Sequence, residues 1–264
     1  MPEGHSIRHF ATTHSYGFVG TQVSTTSPQG RFADEAAALN GRTMTATSAH
    51  GKHLFLHFDK EIVHVHLGLY GWFKLRKNKG QKPKDSVRLR IANDEYLSDL
   101  GAPTACELMQ EDGMRQILNR LGPDPLKDEQ DPQQAWAKIR KSARPIGALL
   151  MDQAVIAGIG NVYRAELLFL SNLNPMVSGK EVSERTLDRI WDDSVRLMKI
   201  GAADGKIKTV DTEHLTGDEV KLHGCTQYSY VYKRTGQNCR ICNDIVKSAE
   251  LVGRTVYWCP TCQG

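Results

Sequence analysis

The 264-residue chain has no apolar run approaching the roughly 18 residues that a membrane-crossing helix requires, so no membrane role is expected. It has no internal repeat and no low-complexity tract, which argues against a solenoid, a fibre or a disordered tail. Its first residues, MPEGHSIRHF, place no apolar stretch behind a basic head, so a secretory leader is not expected either. Strong charge is also missing. Thirty-four Lys and Arg against 30 Asp and Glu leave +4 and a pI near 8.7, compatible with nucleic acid but not diagnostic of it. What is present, 40% hydrophobic and 24% charged residues, describes a soluble globular chain long enough for two domains.

The first half reads mainly as strands. Short mixed apolar and polar runs at 51–58, 62–67, 72–75 and 87–91 are punctuated by Gly and Asn, and a turn with a short helix is expected over 28–39. Near-helical spacing of Met109, Met114, Ile117, Leu118 and Leu121 predicts a helix over 107–121. The Pro- and Asp-rich stretch LGPDPLKDEQDPQQ marks a domain boundary, and helices are predicted over 132–141, 146–153, 162–171 and 183–201. Asn174-Pro175 separates the last two, and Ser183 caps the fourth. That helix gathers Leu187, Ile190, Trp191, Ser194, Leu197 and Met198 on one face. Residues 206–228, with Gly217 and Gly224, read as a loop; short strands follow from Tyr230.

Four of the six cysteines form two C-x-x-C units, Cys239–Cys242 and Cys259–Cys262, sixteen residues apart. Each unit sets two thiolates on one tight turn, and two such turns make a tetrahedral sulfur cage suited to one zinc ion. With all four positions filled by protein, the site is structural rather than catalytic. Two disulfides are the alternative. Cys106 and Cys225 read as ordinary thiols.

Met1-Pro2-Glu3 is ambiguous by itself. A proline and an acid suit the first turn of a helix. Removal of Met1 would also expose a secondary amine titrating at roughly 7.7–8.0, able to attack a sugar C1′ and form an iminium, with Glu3 beside it as acid or base.

These segments combine with Gly51-Lys52-His53-Leu54, Leu121-Gly122-Pro123-Asp124, Gly158 to Glu166 (GIGNVYRAE) and Gly253 to Gln263 (GRTVYWCPTCQ). In that order, from residue 2 to residue 263, the chain resembles the formamidopyrimidine-DNA glycosylase / endonuclease VIII family. The resemblance implies an α+β chain: an N-terminal antiparallel β-sandwich, a C-terminal helix–two-turn–helix domain and a zinc-binding β-hairpin. The expected limits are 1–123, 124–228 and 229–264. It implies a cytoplasmic, nucleoid-associated monomer acting on double-stranded DNA with damaged bases or abasic sites.

Residue by residue, the resemblance implies that Pro2 is the Schiff-base nucleophile and Glu3 the general acid or base. Lys52 assists the chemistry and touches phosphate; Asn161 and Arg254 hold phosphates, Arg254 also serving the second elimination. Arg120 is a DNA contact, and Cys239, Cys242, Cys259 and Cys262 hold the zinc. Leu69 and Tyr70, in HLGLYG, resemble the loop that fills the gap left by an extruded base; the alternative for both is the sandwich core. At the stretch where the formamidopyrimidine branch carries an Arg-Arg-Phe-Gly type loop this chain reads Asp99-Leu100-Gly101-Ala102, which favours oxidised pyrimidines over oxidised purines. Where the family often has Pro-Glu after the opening MPEG, the chain has His5-Ser6; the missing carboxylate's help is lost or passes to His5. A third reading is a catalytically idle lesion sensor. Eight Lys and Arg between Trp72 and Arg90, and the group Lys138, Arg140, Lys141 and Arg144, either add to a DNA-attracting field or stand as solvated surface.

Overall fold

The computed structural model describes residues 2–215 and 228–264, and its contacts divide the chain into two units, Met1–Arg120 and Leu121–Gly264. Cys225, Gly217 and Gly224 lie outside the described residues.

The first unit opens with helix α1 (Gly4–Phe18), which the strand-dominated reading of this half does not anticipate. The bland reading of Met-Pro-Glu as a helix start is correct as local geometry: Glu3 is the N-cap residue, and its carbonyl accepts from the backbone N–H of Ser6 and Ile7. Ile7, Ala11, His14 and Phe18, spaced by four, three and four residues, are its buried stripe. Interleaved His, Thr and Ser hide that stripe from a simple count of apolar residues.

Strands β1 (Ser24–Thr26), β2 (Ala46–His50), β3 (His53–Phe58), β4 (Glu61–His66), β5 (Trp72–Lys77), β6 (Val87–Ala92), β7 (Tyr96–Gly101) and β8 (Ala105–Met109) follow, with α2 (Ala33–Leu39) after β1. They form two antiparallel four-stranded sheets, ordered β1-β6-β7-β5 and β2-β3-β4-β8. One core joins them: Leu54, Leu56, Val63 and Val65 from one sheet, Phe73, Leu89, Ile91 and Leu100 from the other, and Ile7 and Phe18 from α1. This is the expected sandwich. Cys106 is buried in β8, and burial pushes its thiol up to about 12, as suits an inert core residue.

One expectation for this unit fails. The helix predicted over 107–121 begins only at Glu111, as α3 (Glu111–Leu118), because Ala105 to Met109 pair with β4, His64 opposite Glu107 and Val65 opposite Cys106. A long-range partner outweighs the local 3.6-residue spacing. The Asp99–Gly101 stretch is the end of β7, and Ala102, Pro103 and Thr104 connect it to β8. The Asp99 carboxylate, 2% exposed, is held by Arg90 at 2.7 and 2.9 Å and also by Arg76.

The second unit contains α4 (Gln133–Arg140), α5 (Ile146–Leu149), α6 (Asn161–Leu170), α7 (Glu184–Asp204) and the hairpin β9 (Lys247–Leu251) to β10 (Arg254–Trp258). Helix α5 stops four residues short of expectation, because side chains recruit the backbone into turns. Asp152 accepts from the N–H of Ala154, while Gln153 accepts from the N–H of Gly158 and donates to the carbonyl of Ile159. Gly122 sits against the Val155 carbonyl, where a Cβ would lie 2.3 Å from oxygen. Ser183 caps α7 by accepting from Thr186, and Leu187, Ile190, Ser194, Leu197 and Met198 are buried as the sequence implies. Trp136 lies at the centre of this core with its indole N–H on Asp188 at 3.0 Å.

Candidate functional site

In the first unit, Pro2 is half-buried just ahead of α1, and the Glu3 side chain has no exposed surface. Helix α1 lies on β2 and β3 and is tied to them by the Thr47 hydroxyl on the Ala11 carbonyl at 2.7 Å. The turn of that hairpin carries Lys52: His50 pairs with His53, and Gly51, at φ 55°, makes the tight reversal possible. His5 follows as a buried imidazole that hydrogen-bonds Ser6 at 3.0 Å, and burial lowers its pKa to about 3. It is neutral at physiological pH and holds no proton to donate as an imidazolium, so it does not reproduce the missing carboxylate's charge.

Leu69 and Tyr70 are not core residues. They stand on the turn between β4 and β5, 38% and 84% exposed. The turn is closed by the Gly71 N–H on the Leu67 carbonyl at 3.0 Å. Both flanking glycines are required by space. A Cβ on Gly68, itself at φ 63°, would lie 1.9 Å from the Thr104 hydroxyl, and one on Gly71 would lie 2.4 Å from the Leu67 oxygen. An apolar and an aromatic side chain are thereby held out into solvent on a rigid base.

Arg120, exposed at the end of α3, borders an open cavity of about 760 Å³ that the sequence reading missed. Its walls include His53, His64, His66 and Glu107. His53 Nδ1 and His64 Nε2 share a hydrogen bond of 2.9 Å, His64 Nδ1 faces Glu107 at 3.4 Å, and the His53 and His66 rings lie 4.9 Å apart. Burial depresses all three pKa values, that of His53 to about 3; neighbouring imidazoles and Arg120 lower His53 further, and Lys52 lowers His66. The signal was available: His64 and His66 alternate on one strand and His53 sits on its neighbour, so the three share one face.

In the second unit, Asn161 begins α6 and is 8% exposed. Its side-chain amide donates to the Thr255 carbonyl at 3.1 Å, and Arg164 reaches the same oxygen at 3.0 Å. Arg164, 1% exposed, also binds the Asn161 side-chain oxygen and the Gly147 carbonyl. The start of α6 is thus fastened to β10 one residue from half-buried Arg254. Glu166 is a second anchor invisible in the sequence. Fully buried, it accepts from the backbone N–H groups of Tyr230, Val231 and Tyr232 at 2.6, 3.0 and 2.9 Å, and from the Thr209 hydroxyl at 2.5 Å. Burial raises its pKa against the pull of these donors.

Cys239, Cys242, Cys259 and Cys262 bring their sulfurs within 4.8 Å of one another. Two separations, 3.8 Å for Cys239–Cys262 and 3.4 Å for Cys242–Cys259, are far beyond a disulfide bond and near the edge of about 3.8 Å that a tetrahedron with ~2.3 Å metal–sulfur bonds would have. The donor set fits one thiophilic ion. The basic groups are less free than their number suggests. Arg76 and Arg90 neutralise buried Asp99, Arg140 pairs with Glu184 and Arg144 with Asp152, each of the last two at 3.0 Å.

The formamidopyrimidine-DNA glycosylase N-terminal domain matches residues 1–100, and the formamidopyrimidine-DNA glycosylase H2TH domain matches residues 121–212. Over the full length of both proteins the chain is 47% identical to Endonuclease 8 1 of Mycobacterium tuberculosis and 29% identical to Endonuclease 8 of Pectobacterium carotovorum. Its fold is similar to that of Lactococcus lactis Fpg in complex with abasic-site-containing DNA, with a TM-score of 0.80, 21% identity and 99% of each chain covered. It is equally similar to MutM in complex with carbocyclic 8-oxo-G containing DNA, with a TM-score of 0.80, 21% identity and all of both chains covered. The chain belongs to the formamidopyrimidine-DNA glycosylase / endonuclease VIII family of DNA glycosylases.

Proposed function

We propose that this protein is a bifunctional DNA glycosylase and abasic-site lyase of base excision repair that prefers oxidised pyrimidines. The structural observation that carries the reading is the Leu69–Tyr70 turn. Two large apolar side chains are exposed on a turn between two glycines that space requires, and they suit the gap left in a base stack when a damaged base is turned out. The 47% full-length identity with an Endonuclease 8 favours the pyrimidine branch, as does the three-residue β7–β8 connection, which has no room for a long second wedge loop.

With Met1 removed, the Pro2 nitrogen attacks C1′ of the extruded nucleotide. The N–C1′ bond forms as the glycosidic bond breaks, and the base leaves with a proton supplied through Glu3. Ring opening leaves an iminium sugar. Loss of a C2′ proton then expels the 3′ phosphate, a second elimination expels the 5′ phosphate, and water releases the sugar remnant from Pro2. Lys52, which also assists the chemistry, Asn161 and Arg254 hold phosphates, and Arg120 contacts the DNA; Arg254 also serves the second elimination. The four cysteines hold one structural zinc ion, which fixes the base of the hairpin bearing Arg254.

Borohydride trapping on abasic-site DNA tests the chemistry. A covalent adduct that disappears in Pro2→Gly with Met1 retained is expected; no adduct with Met-processed protein would overturn the lyase reading. Release of 8-oxoguanine in preference to 5-hydroxyuracil would instead place the substrate among the purines.

A further inference from the structure

Three hairpins close with two-residue turns whose first residue has positive φ. Gly51 occupies that position at φ 55° between His50 and His53. Asp59 does so at φ 59° between Phe58 and Glu61. Val252 does so at φ 51°, followed by Gly253 at φ 66°, between Leu251 and Arg254. Such turns favour Gly, Asn and Asp, because their central residues are left-handed. Glycine and aspartate meet the requirement in the first two. Valine is among the residues least suited to it, since its branched Cβ crowds the backbone there. The other described non-glycine residues with positive φ are Asp59, Ala102, Glu129, Asn172, Lys233 and Asn243, none of them β-branched.

Packing does not account for the valine either. Val252 is 72% exposed and belongs to neither core. It is a stiff apolar group on a hairpin tip, two residues before Arg254, on a strand that Asn161 and Arg164 fasten to α6 through Thr255. A conformational cost with no return in the folded chain is a mark of a ligand contact. We propose that Val252 is a DNA-contacting residue whose methyl groups pack on the deoxyribose beside the phosphate that Arg254 holds. The sugar is the fitting partner because its C–H face is the apolar part of the nucleic-acid backbone. A contact to it is independent of sequence, as recognition of a lesion in any context requires. The inference rests on the DNA-lyase reading above.

The test compares Val252→Asn, Val252→Ile and Arg254→Gln in binding to a duplex containing a tetrahydrofuran abasic-site analogue, over a range of salt concentrations. Asparagine suits the turn better, so Val252→Asn should melt no lower than the parent. Its affinity should nevertheless fall about tenfold, the order expected for losing one buried aliphatic side chain. The slope of log affinity against log salt should not change, because no phosphate contact is lost. Arg254→Gln should flatten that slope by about 0.9. Val252→Ile should bind like the parent. Undiminished affinity in Val252→Asn, with the parent binding and trapping normally, overturns this inference alone. Failure of the parent to bind the analogue or to form the borohydride adduct overturns the enzymatic reading and the inference with it.

Discussion

Asn161 and Arg164, one turn apart on α6, converge on a single acceptor, the carbonyl oxygen of Thr255, at 3.1 and 3.0 Å. The residue that family resemblance singles out as a phosphate ligand is therefore also a structural link to the hairpin that carries Arg254. The two roles are compatible, since the positive end of a helix dipole at the start of α6 favours an anion.

Arg164→Met should loosen that link. It removes a buried cation that satisfies Gly147, Asn161 and Thr255, and charge-assisted bonds of this kind place the loss at about 3 kcal/mol. Thermal unfolding should show a clear fall in Tm, and fluorescence anisotropy well below the melt should show weakened DNA binding by the folded protein. Parent-like binding there would mean that the link serves stability only.

Tyr70→Ala should leave stability within about 0.5 kcal/mol, because an exposed side chain is removed. Release of a damaged base should fall more than about tenfold if the ring fills the vacated stack, equivalent to more than ~1.4 kcal/mol. Cleavage at a preformed abasic site, where no base must be turned out, should fall much less. Equal loss in both assays would argue against a wedge. Gly68→Ala tests the platform and should destabilise the turn, because the added methyl meets Thr104.

One zinc ion per chain is expected by elemental analysis. Replacing Cys259, which is fully buried, by serine should lower zinc content and Tm and abolish tight DNA binding. Metal-free protein that binds damaged duplex at full affinity would contradict the structural role assigned to the four cysteines.

Stability should fall on acidification through the pH 6.5 to 4 window. His14 is buried between the Phe10 carbonyl, at 2.7 Å, and the Ser98 hydroxyl, at 2.8 Å, and burial lowers its pKa from 6.5 to about 4. Above 6.5 neither the folded nor the unfolded chain protonates it. Below 6.5 the unfolded chain binds the proton first, so folding weakens, by order 3 kcal/mol once the pH reaches about 4, and the penalty then levels off. His5 and His53, lowered to about 3, act in the same direction. Urea unfolding at pH 7.5, 6 and 4.5 measures the slope, and His14→Gln should make it shallower; an unchanged slope would remove His14 from the account.

Much of this was legible because the signals are local. The two C-x-x-C units, the Ser183 cap and the buried stripe of α7 each lie within a few residues of chain, where spacing and backbone preference decide the outcome. The failures in the first unit are non-local. Glu107 to Met109 have helical spacing yet end a strand, because their partner, β4, lies some forty residues earlier in the chain. Helix α1 escaped because its buried stripe includes His14, whose polarity is offset by Ser98 on a distant strand. The His53–His64–Glu107 array required the register of three strands.

The sequence by itself determined the pairing of the cysteines into two C-x-x-C units and the succession of strands and helices in most segments, while its resemblance implied the family and the residues proposed for the chemistry. Those follow from residue type and spacing along the chain. Only the tertiary structure decided that Leu69 and Tyr70 face solvent, that His5 is buried and neutral, and that Arg76 and Arg90 spend their charge on Asp99. It alone joined Asn161 to Thr255. Exposure, protonation and pairing depend on what the rest of the chain brings alongside a residue, and that is set by long-range packing.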